Sequence, residues 1–170
     1  MTLWIISSLI CTSFFRGALA SELRSIEWSE ISNENGVEVF AAKGFNHESG
    51  LVPIKFKTTL NDSTARVLTV LADNKRKMEW VPRAVEARTL ERKSETDITV
   101  YYKYDLPWPL NDRDFIVKNL GVYNKKENMI SVDIRSVEHK DDPALKNKDA
   151  IRGTTYDGYS IILPLRDNQT

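Results

Sequence analysis

One stretch of nine residues decides the fold: Pro107-Trp108-Pro109-Leu110-Asn111-Asp112-Arg113-Asp114-Phe115. Its two prolines end a strand, because each proline fixes φ and lacks the N–H that a strand ladder needs. Asn111 and Asp112 are turn formers, and a run typical of a second strand begins at Arg113. The stretch therefore predicts a strand, a rigid Pro-Trp-Pro turn and another strand.

The charged pair at the head of the second strand is unusual in an otherwise apolar run. Side chains of a strand alternate between its two faces. Arg113, Phe115 and Val117 therefore share one face, whereas Asp114 and Ile116 share the other. One member of the Arg-Asp couple must then point where apolar groups point.

Length and composition indicate a single globular domain. The chain has 170 residues, of which 41% are hydrophobic and 28% charged, which is ordinary for such a domain. Lys and Arg together number 24, and so do Asp and Glu. A nucleic-acid partner is not expected, because the chain has no basic excess.

The N-terminal segment has the pattern of a secretory leader. Leu3 to Phe15 is an apolar run too short to span a bilayer, and Ala18-Leu19-Ala20 matches a signal-peptidase site. Residues 1–20 are therefore predicted to be a signal peptide cleaved after Ala20, which makes the protein secreted or periplasmic. An uncleaved anchor is the alternative, because no Lys or Arg precedes the apolar run. Cleavage removes Cys11, the only cysteine.

The remaining chain has the alternating pattern of an antiparallel sheet with two or three short helices. Short connections between the later strands make them antiparallel neighbours. Helices are predicted at 22–35 (a helix or helix-like lead-in), 63–73 and 75–81. Strands are predicted at 37–41, 52–60, 85–90, 97–106, 113–123, 128–137, 150–155 and 159–165, with a turn at 157–158 between the last two.

These features resemble the START domain, the lipid-transfer module related to the steroidogenic acute regulatory protein. The opening stretch is similar to the family's P-x-P-x-x-x-R-D-F/Y segment. Gly36 to Phe40 is similar to its Gly-Val-x-Val-Phe/Tyr opening, and Gly158 to Pro164 to its Gly-(Trp/Tyr)-x-(Leu/Ile)-x-Pro segment. The resemblance runs from Glu22 to Thr170 and is that of a secreted protein of bacterial type.

The resemblance implies an α+β helix-grip fold, in which a curved antiparallel sheet and helices enclose an elongated apolar cavity. START domains continue with a further strand and a C-terminal helix that covers this cavity. The chain ends at Thr170, so we expect a START-like domain over residues 21–170 without the lid helix.

The resemblance also implies a set of ligand contacts. In START proteins the Arg of the R-D motif lies in the cavity near an acid of the neighbouring strand, so Arg113 is the expected polar contact. Its partner would be Asp97, Asp105 or Asp114, and the alternative is an ion pair that only stabilises the fold. Aromatic side chains on the same face would line the cavity or simply form core. The candidate ligand-binding residues are Arg113, Asp105, Tyr102, Tyr104, Trp80 and Phe115.

The sequence carries no catalytic or metal motif. It has two His far apart, no G-x-S-x-G, no H-E-x-x-H and no Gly-rich phosphate loop. We therefore expect non-catalytic binding or transfer of a single hydrophobic small molecule, a lipid in the first place, with no cofactor and with transient contact to a membrane. The alternatives are a polyketide cyclase-like enzyme of the same fold, or a truncated remnant that needs a partner.

Overall fold

The computed structural model describes residues 2–8, 26–44, 50–143 and 150–164. These residues form mostly strands and two helices, so the predicted α+β class is confirmed. In chain order the elements are β1 (Thr2–Ser8), β2 (Trp28–Glu34), β3 (Val37–Ala42), β4 (Ile54–Thr59), α1 (Thr64–Ala72), α2 (Lys77–Trp80), β5 (Ala84–Arg92), β6 (Asp97–Tyr104), β7 (Arg113–Asn124), β8 (Met129–Ser136), β9 (Ile151–Arg152) and β10 (Asp157–Leu163).

The strands form one sheet in the order β2-β3-β4-β1-β10-β8-β7-β6-β5. Every neighbouring pair along this path is antiparallel. The short strand β9 lies off the path and pairs in parallel with the start of β7. The predicted run of antiparallel neighbours from β5 to β8 is therefore confirmed.

The helices pack on one face of this sheet, which we call the helix face. Ser63 caps α1, since its hydroxyl accepts a hydrogen bond from the backbone N–H of Arg66. The apolar side of α1 then buries Val67 against the fully buried Ile162 of β10. Leu60, Leu68, Leu71 and Ile130 surround this contact. The core of the domain thus lies between α1 and the middle of the sheet.

The opposite face, which we call the outer face, also carries buried side chains. Tyr101 of β6 and Ile116 of β7 are register partners, and both are buried. Asp114 of β7 is 1% exposed on the same face. The chain that follows β8 returns as β9 beside Asp114, where Gly153 donates its N–H to the Asp114 carbonyl.

The predicted helix at 22–35 is wrong where the structure describes it. Trp28–Glu34 is strand β2, which pairs with β3 across a two-residue turn. Asn35 and Gly36 both have positive φ, 53° and 77°, as a tight hairpin turn of this kind requires. Pairing with β3 outweighs the local helical spacing of the apolar residues.

The last two predicted strands also differ from those in the structure. The expected strand at 150–155 is reduced to Ile151–Arg152, and the expected turn at 157–158 is the beginning of β10. A Cβ on Gly153 would lie 2.2 Å from an atom of the Phe115 ring. A side chain at this position would have to displace the Phe115 ring, which glycine avoids.

Strand β1 comes from the segment that the sequence predicts to be a leader. It lies between β4 and β10 and pairs with both in antiparallel register. The residues of the predicted cleavage site lie outside the described residues. Cleavage after Ala20 would remove β1 and leave β4 and β10 without the strand that joins them.

Candidate functional site

Four of the six predicted site residues meet on the helix face. Tyr102 and Tyr104 of β6 are the register partners of Phe115 and Arg113 of β7. The rings of Tyr104 and Phe115 meet edge to face with centroids 5.9 Å apart, and the rings of Tyr102 and Tyr104 are 6.4 Å apart. We call these four residues the aromatic-arginine cluster. Strand alternation puts each pair on one face of its own strand, as the sequence predicts, and the register of β6 with β7 brings the two pairs together.

Trp80 joins this cluster through a lysine that the sequence analysis did not select. Lys77 is only 8% exposed, and its Nζ lies 4.8 Å from the Trp80 ring centroid and 5.9 Å from that of Tyr102. The same Nζ donates to the carbonyl of Leu71, in the last turn of α1, at 2.7 Å. Burial lowers the pKa of Lys77. A cation beside unpaired carbonyls at a helix end is a favourable arrangement.

A hydrogen-bonded chain fixes Tyr102. Its hydroxyl donates to Asn74 Oδ1 at 3.0 Å, and Asn74 Nδ2 donates to Thr89 Oγ1 of β5 at 3.2 Å. Burial, and then the neighbouring Tyr104, raise the pKa of Tyr102, so this phenol stays neutral. From the sequence, Asn74 lies only between the two predicted helices at 63–73 and 75–81, because a link to β5 is not visible in a local pattern.

Arg113 lies at the end of the cluster, beneath the Pro-Trp-Pro turn. Its Nη1 donates to the backbone carbonyls of Asn111 at 2.7 Å and Asp112 at 3.3 Å. Nε and Nη2 of Arg113 make no hydrogen bond within the described part of the chain. Arg113 therefore has donors that a bound molecule can use.

The expected ion pair of Arg113 with a nearby carboxylate is absent among the described residues. Asp97 pairs with a lysine of β7, and Asp114 pairs with Arg152. Asp105 is exposed, and its backbone N–H donates to the carbonyl of Arg83. Asp105 is therefore not brought to the cluster, because it lies just past the end of β6 where strand alternation no longer applies.

Asp114, the acid of the R-D motif, is held on the outer face instead. Arg152 donates to both of its carboxylate oxygens, with each N–O distance 2.9 Å. The same guanidinium also donates to both oxygens of Asp142, at 2.8 and 3.0 Å. Hydrogen bonds to Asp114 and then to Asp142 raise the pKa of Arg152. The predicted ion pair between Arg113 and an aspartate is therefore wrong, since Asp114 pairs with Arg152 of β9.

A cleft of about 470 Å³ opens beside the cluster, between α1 and the end of β4. It is mostly apolar, with one ion pair between Arg66 and Asp62 at 3.3 Å. Trp80 is the one predicted site residue among its lining residues. The lining consists of Thr58, Leu60, Asn61, Asp62, Arg66, Val67, Val70, Leu71 and Trp80. We call it the α1 cleft, and Trp80 with Lys77 connects it to the aromatic-arginine cluster.

Within 2–8, 26–44, 50–143 and 150–164, no three His, Cys, Asp or Glu side chains are grouped as a metal site requires. Neither helix of those ranges has the length and apolar character needed to cross a bilayer.

Comparison with known proteins gives one family and several solved structures. A family model described as "START domain" matches residues 19–170, whereas no curated protein matches the chain. A STAR-related lipid transfer protein (fragment 25–204) from Xanthomonas axonopodis superposes with a TM-score of 0.64 at 19% identity, over 79% of this chain and 78% of that one. Human STARD10 superposes with a TM-score of 0.67 at 20% identity, over 88% of this chain and 66% of that one.

A third structure is similar to the same degree. The human StarD13 (DLC2) lipid transfer and protein localization domain superposes with a TM-score of 0.68 at 15% identity, over 91% of this chain and 78% of that one. At such identities these likenesses show a shared fold.

Proposed function

Because the chain belongs to the START domain family, we propose that it binds one hydrophobic molecule, a lipid, and carries it without chemical change. The observation that carries this proposal is the family match over residues 19–170. The resemblance read from the sequence is thereby confirmed. Two of the three solved structures compared above are described as a lipid transfer protein or a lipid transfer domain. These descriptions support a lipid as the ligand.

The α1 cleft is the proposed site for the apolar part of the ligand. Its volume of about 470 Å³ falls within the range of about 300–1,000 Å³ typical of small-molecule sites. Val70 and Trp80 are 47% and 44% exposed where they line it. A bound hydrocarbon chain would remove this apolar surface from water, at about 25 cal/mol per Å².

Arg113 is the proposed contact for the polar end of the ligand. Its Nε and Nη2 have no bond to other described residues, and no carboxylate among those residues forms an ion pair with it. A ligand oxygen, in a hydroxyl, carbonyl or phosphate group, would accept a charge-assisted hydrogen bond from these donors. Phe115 and Tyr104 beside it would contact the adjoining carbon atoms.

A non-catalytic role is part of the proposal. Two polar groups between the α1 cleft and the aromatic-arginine cluster are engaged within the protein, since Tyr102 donates to Asn74 and Lys77 donates to Leu71. They therefore serve to position the aromatic side chains. Turnover of a polyketide by the purified protein would instead support the cyclase alternative.

Export belongs to the proposal as well. The family match begins at residue 19, which leaves β1 outside it and agrees with a leader that ends at Ala20. We propose that the mature protein begins at Ser21 and acts outside the cytoplasm, with transient contact to a membrane during ligand exchange.

A titration with a fluorescent fatty acid, kept below its critical micelle concentration, tests the site. Val70→Lys puts a charge into the α1 cleft, whereas Val85→Lys puts one on β5 outside it. The two valines are 47% and 51% exposed, so both variants are expected to fold. We expect Val70→Lys to weaken binding at least tenfold and Val85→Lys to leave it unchanged. Equal effects of both would remove the ligand from this cleft.

A further inference from the structure

Lys77 is a buried cation that forms no ion pair with any Asp or Glu of the described ranges. Its Nζ donates one hydrogen bond there, to the Leu71 carbonyl. The charge of Asp73 acts on it only through space, because Asp73 Oδ1 accepts the backbone N–H groups of Lys75 and Arg76. Burying a charge without a partner of opposite sign is costly. The bond to the end of α1 offsets part of this cost, and an anion from outside the protein would offset more.

The Nζ of Lys77 lies where the α1 cleft meets the aromatic-arginine cluster. Leu71 and Trp80, which it contacts, line the cleft, and Tyr102, whose ring it also faces, belongs to the cluster. A ligand that extends from the cleft to Arg113 therefore passes this ammonium group. An ammonium has three donors, and the described residues use one of them.

The acidic residues of the neighbouring strands all point away from the cluster. The register of β5 to β8 puts every Asp and Glu of these four strands on the outer face. These acids are Glu86, Glu91, Asp97, Asp114 and Asp133. Arg113, in contrast, lies on the helix face and bonds only to backbone carbonyls among the described residues. A ligand on the helix face of these strands thus meets positive charge and no carboxylate.

We propose that the ligand is a fatty acid, bound as its carboxylate, and that Lys77 selects it by charge. The inference rests on the proposed function and deepens it, because it names the class of lipid. Opposite charges attract strongly where little water separates them, whereas a neutral lipid would leave Lys77 and Arg113 without an anion. Lys77 therefore has a second role besides holding the rings of Trp80 and Tyr102.

The size of the α1 cleft favours a lipid with a single chain. Its volume of about 470 Å³ lies in the lower half of the range of about 300–1,000 Å³ for small-molecule sites. One hydrocarbon chain suits such a volume better than the two chains of a phospholipid. The charges of the cleft itself cancel, because Arg66 and Asp62 form an ion pair at 3.3 Å. The charge that discriminates between ligands therefore comes from Lys77 and Arg113.

Two fluorescent ligands that have the same chain test the proposal. They are cis-parinaric acid and its methyl ester, each titrated as a monomer into the full chain at about pH 8. Only the acid is charged at this pH, since an ordinary carboxyl group has a pKa of about 4. We expect the parent to bind the acid at least tenfold more tightly than the ester. This comparison needs no variant, so it does not depend on how a substitution affects folding.

Three variants show whether Lys77 is the source of the preference. We expect Lys77→Met to lower the ratio of the two affinities at least threefold and Lys77→Arg, which keeps the charge, to retain most of it. Lys55→Met is the matched control. Lys55 is also 8% exposed, and its Nζ lies 4.7 and 4.2 Å from the ring centroids of Trp28 and Phe40, but it is on the outer face. This control should leave the ratio unchanged.

The possible outcomes separate this inference from the proposed function. Equal affinity of the parent for the acid and the ester would overturn the inference and leave lipid binding standing. A preference for the acid that is as large in Lys77→Met as in the parent would remove Lys77 from the selection and overturn the inference too. Binding of neither ligand would contradict the proposed function itself, and this inference with it.

Discussion

Arg152 of β9 holds the buried carboxylate of Asp114 with two hydrogen bonds of 2.9 Å each. These residues lie 38 positions apart in the chain, and their contact ties the returning segment to the first residues of β7. Asp114 is 1% exposed, and an unpaired buried charge is strongly unfavourable. Asp114, the acid of the R-D motif, thus anchors β9, whereas Arg113, the arginine of the same motif, lies on the helix face.

Replacing Arg152 by Met should destabilise the fold substantially. Breaking a buried ion pair typically costs about 3–5 kcal/mol, and we expect about 3 kcal/mol because the Arg152 side chain is 35% exposed. Urea unfolding of the parent, Arg152→Met and the double variant Arg152→Met/Asp114→Leu measures this. The double variant should recover part of the loss, since it removes the unpaired charge. A single variant as stable as the parent would contradict the anchoring role.

Stability should fall at high pH in a way that depends on Tyr101. Burial, and then the charge of Asp114, raise the pKa of Tyr101 to about 12, above the value of about 10 for an unfolded chain. A group whose pKa is raised on folding contributes stability below the unfolded pKa and loses it as the pH rises. The free-energy difference between the parent and Tyr101→Phe should therefore shrink between pH 10 and 12. A constant difference over this window would show that Tyr101 ionises freely.

Tyr102→Phe should lower stability without removing ligand binding. The variant leaves Asn74 Oδ1 without its donor, and an unsatisfied buried acceptor costs about 1–3 kcal/mol. Ligand affinity should change less than about threefold, because the Tyr102 hydroxyl is engaged with Asn74 and not with the ligand. Urea unfolding and the fatty-acid titration measure the two effects. A tenfold loss of affinity at unchanged stability would place this hydroxyl in the ligand site.

Arg113→Leu should weaken ligand binding with little loss of stability, which is the reverse of the effect expected for Tyr102→Phe. A hydrogen bond to a charged group contributes about 1.5–3 kcal/mol, so the loss of one bond to the ligand should weaken binding about 10- to 100-fold. The effect on stability should be small, because Arg113 bonds only turn carbonyls among the described residues. Arg135→Leu, on the exposed side of β8, is the matched control. Parent-like affinity in Arg113→Leu would remove Arg113 from the site.

The intact mass of the protein made in cells decides the fate of residues 1–20. Export with cleavage after Ala20 gives a chain that begins at Ser21 and lacks β1. The edges of β4 and β10 would then lie open to another strand. A mass that includes residues 2–8 would contradict cleavage and make β1 a strand of the finished protein.

Strand alternation made the helix face predictable from the sequence. It put Tyr102 with Tyr104 and Arg113 with Phe115, because side chains two apart on a strand share a face, and the antiparallel pairing of β6 with β7 then joined the two pairs. Strand alternation does not identify the partner of Asp114. Arg152 reaches Asp114 because β9 pairs in parallel with β7, and no local sequence pattern indicates this pairing. Lys77 and Asn74 were missed for a similar reason, because their contacts with Leu71 and Thr89 depend on how α1 ends against β5.

Native mass spectrometry of the protein purified from cells tests the central claim most directly. We predict a folded protein that carries one lipid molecule per chain, whose mass identifies its class, and we predict that Val70→Lys carries much less of it. A cooperative thermal melt of the same sample shows that the protein is folded. A folded protein that remains free of lipid after incubation with a lipid extract would contradict the account.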